Sequence, residues 1–502
     1  MGKYPKLGNT LPTASAEDFF SKYISKRLPV IVKGLLDDEH FKGRNWADLD
    51  YLASKAGERD VLVEPMHPEA RQFGTDVERV SMKFKDFLKS LKSEEGPHHY
   101  LTTQYAEQEL EALTVLPPPT DALEEDFPHI PRIMGNLCLQ QVNLWVGRSK
   151  EGSTSGLHHD FHDNLYCLLK GRKRFVLFPP SEIKNLCPHG TLDTMHENGL
   201  ISYTDAPVRS DGLPVRVALK AKVKALEEKL DAVPNGKGKG RMNMKEREAL
   251  IEAHDQALDE LAQYTLEAAD GIDVDEEEDD FDALMAGLDG EDDFNVLEGG
   301  NGASDGVNGD AEDEKEEGRD EDENEDEDES EEDSSEKEVE EYPEWYGIGT
   351  GDSDDEEDGE EDTEEPSSFS RIPTALMHRH LGLSTNAMPP AGASLKDFPN
   401  FKKATRPFVA ELSAGEMLYL PASWWHEVTS SAAADGDAVH MAFNYWLYPP
   451  NNLDSFEEPY EDTLVWEYLR SKNAKSRQKS SAETSKRRGN EETAQTKKRS
   501  RK

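Results

Sequence analysis

The sequence predicts a mainly β domain with flanking helices, of the α+β class, interrupted by a long polar insertion. Three observations carry this prediction. Short stretches rich in β-branched and aromatic residues recur along the chain. They stop near residue 215 and resume near 369. Between Asp273 and Pro366 stand 48 Asp+Glu against 3 Lys+Arg, so one segment holds nearly all of the net charge of −48. Such a run, with hardly any branched aliphatic or aromatic residues, cannot bury enough surface to offset the entropy of ordering it. It is expected to be disordered, and its acidity says little about any pocket elsewhere.

Ala16 to Lys22 reads as a short amphipathic helix, and Leu28-Pro29-Val30-Ile31-Val32-Lys33-Gly34 as a buried strand closed by a glycine turn. Val61-Leu62-Val63 is a further strand, and Met82 to Leu88 begins a helix by its apolar spacing. Tyr100-Leu101-Thr102 and Leu139 to Val146 are strand-like. Ala218 to Ala232 and Met244 to Ala268 carry apolar residues at helical spacing around the connector Pro234 to Gly240, which predicts an inserted helical hairpin. Within the acidic tract, Phe281 to Leu288 and Tyr342 to Tyr346 are candidate docking motifs. Phe408 to Leu412, Met417 to Leu420 and His440 to Trp446 read as three strands, and Asn451 to Arg470 includes a closing helix.

Cys138, Cys167 and Cys187 form no metal-ligand spacing, and an odd count fits a reducing compartment better than a disulfide framework. No apolar run approaches a membrane span, and Met1 to Thr10 has neither a signal-peptide core nor a myristoylation pattern. A soluble intracellular protein is expected.

The chemistry centres on Gly156 to Tyr166, which leads into Gly171-Arg172-Lys173-Arg174-Phe175. On a β-strand His158 and Asp160, two positions apart, leave the same face. They make two thirds of a facial triad, the ligand set that leaves positions open on ferrous iron. Trp424-Trp425-His426 is the natural supplier of the third ligand. His159 is expected on the opposite face, and His162 in a plain surface role.

These motifs, with Tyr100-Leu101, Asn143-Leu144-Trp145 and Phe443-Asn444-Tyr445-Trp446, resemble the JmjC branch of the cupin superfamily. The chain looks most like its small hydroxylases, which are oxygenases dependent on iron and 2-oxoglutarate. The resemblance covers most of residues 15–214 and 369–450. It implies a double-stranded β-helix, with Fe(II) held by His158, Asp160 and His426. It implies 2-oxoglutarate held by Lys173, with hydroxyls from Tyr100 and Ser155 and with Asn164 and Asn444 lining its pocket. Many relatives carry threonine where Ser155 stands. Arg172 and Arg174 are expected to face outward, Trp446, Tyr166 and Trp425 to form wall or core, and Thr102 to stand near substrate. O2 is the second co-substrate, and the implied reaction decarboxylates 2-oxoglutarate to succinate while hydroxylating a C–H bond.

The implied organisation is an N-terminal part with the first half of the barrel (1–214), a helical hairpin (215–270) and an acidic disordered insertion (271–368). The second half of the barrel with a C-terminal helix (369–470) and a basic disordered tail (471–502) follow. The 266 positions between Asp160 and His426 exceed the spacing in compact relatives, and a long loop adds little closure entropy. Lys486-Arg487-Arg488 and Lys497 to Lys502 have bipartite nuclear-import spacing, so a nuclear location, with a cytoplasmic fraction allowed, and an import receptor are expected. The acidic tract suits basic nuclear proteins as partners, and Asn451 to Arg470 is the segment that a homodimer would use. The leading function is hydroxylation of a protein side chain of lysyl or asparaginyl type. Lysine demethylation, hydroxylation of a tRNA base with RNA as partner, and a silent cupin that binds basic proteins are the alternatives.

Overall fold

Strands with apolar side chains on both faces must be covered on both, and this requirement sets the architecture. The computed structural model describes residues 4–74, 77–93, 98–104, 113–150, 152–232, 244–269, 366–433 and 437–474. The candidate docking motifs, the import clusters, and the acidic and basic segments other than residues 366–368 and 471–474 lie outside them. Met1–Thr265 and Pro343–Lys502 belong to one compact unit, described here.

Its strands are β1 (Gly8–Thr10), β2 (Val30–Val32), β3 (Asp60–Pro65), β4 (Val80–Lys83), β5 (His99–Leu101), β6 (Leu139–Arg148), β7 (Ser153–Thr154) and β8 (Asp163–Lys170). They continue with β9 (Arg172–Phe178), β10 (Leu192–Met195), β11 (Ile201–Tyr203), β12 (Phe408–Ser413), β13 (Met417–Leu420), β14 (Trp425–Ser431) and β15 (Val439–Leu447). A major sheet runs β1-β2-β13-β8-β15-β6-β5-β3-β4, a minor sheet runs β12-β9-β14-β7, and β10 pairs with β11. Tyr166, Leu168, Leu418 and Ala442 of the major sheet pack against Phe175, Leu177, Ala410 and Leu412 of the minor sheet. The architecture is therefore a double-stranded β-helix of the cupin type, mainly β with helices outside. Gly171, at φ +81°, makes the one-residue turn that sends the chain from β8 in one sheet to β9 in the other.

The outward face of the major sheet presents Leu144, Val146, Cys167 and Phe443 to a core with Phe19, Trp46, Phe84, Phe87 and Trp466. The outward face of the minor sheet presents Val176, Phe178 and Trp425 to Ile372, Met377 and Phe401, so residues after the acidic tract join Ile183, Leu186, Ile201 and Tyr203 in its cover. The helices Val215–Asp231 and Met244–Ala269 pack through Val223 and Leu226 against Ala257 and Leu261, with Leu464 of the closing helix at the edge. That helix spans 463–474, within and just beyond the expected segment, and buries Val465, Trp466, Tyr468 and Leu469 in its own chain. Met82 and Lys83 belong to β4, with the helix starting at Phe84, because β3 pairs them edge to edge. Among the described residues no helix is long and apolar enough to cross a membrane.

Candidate metal centre

The lead-in to β8 and the start of β14 bring the three predicted ligands together. His158 N donates to His426 O at 3.0 Å, and His426 N donates to His158 O at 2.7 Å, forming one antiparallel bridge. Residues paired this way send their side chains to the same side, and the two imidazole centroids lie 4.3 Å apart. Nε2 of His426 is 3.7 Å from Oδ2 of Asp160. One ligand atom from each of His158, Asp160 and His426 lies within 4.8 Å of the others.

The premise of strand alternation needs correction. Residues 156–162 form no strand beyond the isolated bridges of His158 to His426 and to Phe369, because the chain bends there, and Asp160 O accepts from Ser423 N at 2.8 Å. The ligands converge through pairing with the segment around β14.

Hydrogen bonds settle which ring nitrogens are free. His158 Nδ1 lies 2.8 Å from Gly156 O, and His426 Nδ1 lies 2.9 Å from Trp424 O. A carbonyl oxygen only accepts, so each Nδ1 carries the proton and each neutral ring keeps its lone pair on Nε2. Burial, reinforced by His426, pushes His158 down to about 4, so this ring is neutral near pH 7. Phe369, just after the acidic tract, stacks on His158 at 4.8 Å. The set of two imidazoles, each tied through Nδ1, and one carboxylate fits a divalent transition metal such as ferrous iron.

Asp160 is oriented by a directional chain. Trp145 Nε1 donates to Asn444 Oδ1 at 2.7 Å, Asn444 Nδ2 to Asn164 Oδ1 at 3.0 Å, and Asn164 Nδ2 to Asp160 Oδ2 at 3.3 Å. An indole N–H can only donate, so Trp145 fixes the sense of both amides. Trp446 Nε1 also donates to Asp160 Oδ2, at 3.3 Å, which gives the expected wall residue a polar task.

Deeper in the barrel, Lys173 is fully enclosed, while Arg172 is exposed and Arg174 reaches Thr429 on the outer face. Lys173 Nζ donates to Tyr100 Oη at 3.2 Å and to Ser430 Oγ at 2.5 Å. Burial pushes its ammonium down to about 7. Ser430 pairs directly with Lys173 and His426 with Leu177, four residues further along β9, so all these side chains line the inner face. That separation is roughly 13 Å at the rise of a strand. Ser155 stands between the two ends, its N donating to Val428 O at 3.1 Å and its buried Oγ having no partner among the described residues. The Thr102 hydroxyl is likewise buried without a partner among the described residues.

His159 is buried against Trp425, with Nε2 2.8 Å from Tyr203 Oη, away from the ligand set. His162 is not a surface residue. It is buried between Trp446 and Tyr448, because the bend after Asp160 turns it inward. Sequence reasoning missed Ser430, although period-two alternation from His426 through Val428 reaches it. It also missed the pairing of Arg27 with Asp163 beneath the site, which no local pattern signals.

A two-sheet barrel with a His-Asp-His set inside defines a protein of the cupin class. The chain belongs to the cupin-like JmjC domain family: the pattern of the cupin-like domain matches residues 16–453. It is 34% identical over 93% of its length, and 91% of the relative's, to JmjC domain-containing protein 4 of Schizosaccharomyces pombe. It is 25% identical over 33% of its length to human bifunctional peptidase and (3S)-lysyl hydroxylase JMJD7, covering 51% of that protein. It is 30% identical over 34% of its length to tRNA wybutosine-synthesizing protein 4 of Neurospora crassa, covering 14% of that chain.

Proposed function

We propose that this protein is an Fe(II)- and 2-oxoglutarate-dependent oxygenase that hydroxylates a protein side chain of lysyl or asparaginyl type. The observation that carries the reading is the ligand set itself, with both Nδ1–H groups tied to carbonyls and both Nε2 lone pairs free. Ferrous iron and 2-oxoglutarate, when bound, supply oxygen activation coupled to loss of carbon dioxide, giving succinate and a hydroxylated C–H position. His158, Asp160 and His426 hold the metal, and the Trp145-Asn444-Asn164 chain and Trp446 keep the carboxylate in one orientation. Lys173 supports the far carboxylate of the co-substrate, with the hydroxyls of Tyr100 and Ser430 completing a buried donor cluster and Ser155 facing the span between. The apolar half of the barrel interior excludes water.

A protein substrate is favoured over RNA because the chain outside the acidic tract has little net charge, which does not support a long phosphate contact. The similarity to a lysyl hydroxylase agrees with this reading. The basic tail clusters support action in the nucleus, and the acidic tract supports a basic protein partner.

Succinate release from 2-oxoglutarate with Fe(II) and ascorbate tests the proposal, comparing wild type with His158→Ala in nuclear extract pretreated with protease or RNase. Turnover that needs His158 and is lost with protease alone is expected. Loss with RNase alone moves the substrate to RNA, and absence of turnover throughout overturns the enzyme reading.

A pH dependence follows from Lys173. Burial sets its ammonium near 7, and an arriving carboxylate raises that value. Diacid affinity is then fully present below about pH 7 and weakens, by up to about tenfold per unit, as pH rises above it. Calorimetry of N-oxalylglycine binding to the Mn(II)-loaded protein at pH 8, in buffers of different ionisation enthalpy, should show net proton uptake. Zero uptake contradicts this assignment.

A further inference from the structure

His440 is fully buried on β15, and neither of its ring nitrogens has a hydrogen-bond partner among the described residues. A neutral imidazole always carries one N–H and one lone pair, so this arrangement leaves a donor and an acceptor unsatisfied in the interior. Buried polar groups in folded proteins are nearly always satisfied, and an orphan costs stability. The ring nevertheless has space made for it. At Gly147, a Cβ would lie 2.9 Å from His440 Cε1 and 2.7 Å from Tyr100 Cδ2. At Gly171, a Cβ would lie 2.8 Å from His440 Cβ. Gly147 thus leaves room for the imidazole, and Gly171 for the backbone that carries it, although the ring bonds to none of the described residues.

The surroundings indicate what it awaits. The His440 ring sits edge-on to Tyr100, with centroids 5.6 Å apart, and Tyr100 Oη accepts from Lys173. Lys173 is also close enough for its charge to disfavour a proton on His440, which burial already pushes far down. The imidazole is therefore neutral and borders the chamber of the buried lysine. Ser430 Oγ and Tyr100 Oη already accept from Lys173, and no described protein group accepts from His440.

We propose that His440 donates a hydrogen bond to the far carboxylate of the dicarboxylate co-substrate, as an additional member of the cluster formed by Lys173, Tyr100 and Ser430. The proposal rests on the co-substrate reading given above. It assigns to the fold an orphaned donor kept for a ligand rather than for stability.

The test measures N-oxalylglycine binding to the full-length, Mn(II)-loaded protein by calorimetry, for wild type, Lys173→Met, His440→Phe and His440→Leu. Mn(II) affinity alone and the melting temperature of the metal-free protein are measured alongside. Both His440 variants are expected to weaken the diacid about tenfold or more, as for loss of a hydrogen bond to a charged group. Mn(II) affinity should stay unchanged, and the melting temperature should not fall, because each variant removes the orphaned atoms. Wild-type binding that Lys173→Met weakens but a folded His440 variant leaves intact overturns the role of His440 alone, and points to a trapped water as its partner. No binding by wild type overturns the co-substrate reading itself. Should both variants misfold, 15N NMR of the wild-type imidazole decides: the His440 N–H signal must shift on adding N-oxalylglycine, and an unmoved signal overturns the proposal.

Discussion

Asp160→Asn reduces metal affinity and succinate release by more than about 100-fold while leaving the fold intact. Loss of an outer partner of a metal ligand costs about 10–100-fold, and this change removes the only formal charge of a ligand itself. The amide matches the carboxylate in shape, so Asn164 Nδ2 and Trp446 Nε1, each 3.3 Å from Asp160 Oδ2, still find an oxygen or force a flip. Mn(II) titration followed by electron paramagnetic resonance, with a thermal melt as control, separates a weakened site from a damaged barrel. A variant that retains a tenth of wild-type affinity and turnover removes Asp160 from the ligand set.

Arg27→Met destabilises the protein by roughly 3–5 kcal/mol, the range for stripping one partner from a buried ion pair. Arg27 Nη2 meets Asp163 Oδ1 at 2.6 Å and Nη1 meets Oδ2 at 2.8 Å, with Asp163 fully enclosed. The same carboxylate accepts from Tyr419 Oη at 2.7 Å and from Ala422 N at 2.9 Å, and Trp424 Nε1 donates to Arg27 O at 3.0 Å. The ion pair therefore ties the start of β8, just after Asp160, to the turn that delivers His426. Arg27 itself sits at φ +53°, in the left-handed region that a non-glycine residue occupies only when its surroundings hold it there. Urea denaturation measures the loss. Adding Asp163→Asn should recover a large part of it, since the penalty lies in an uncompensated carboxylate; a double variant no more stable than Arg27→Met would place the penalty elsewhere.

Much of the fold was legible because its central strands are long and apolar. Leu139–Arg148 and Val439–Leu447 are readable by composition alone. The short hairpin of β10 and β11 and the cover helix Thr374–Leu381 were not, since both draw their stability from packing against the minor sheet. The His-x-Asp spacing pointed, through a strand that does not exist, to residues that the fold does bring together. A local pattern carries residue identity, while the bend at Asp160 depends on a backbone bond to Ser423, distant in sequence.

By itself the sequence determined the chemistry on offer: two imidazoles, a carboxylate and a lysine after a glycine turn, with an acidic tract between the halves. The tertiary structure alone decided how these meet. β13 lies between β2 and β8, β15 between β8 and β6, and β14 between β9 and β7, so strands from either side of the insertion interleave in both sheets. Neither half can close the barrel, and Lys173 finds Ser430, Asn164 finds Asn444, and His158 finds His426 only when the two halves pair. Contacts between residues more than two hundred positions apart leave no local periodicity, because what holds them in register is the ladder of hydrogen bonds between strands.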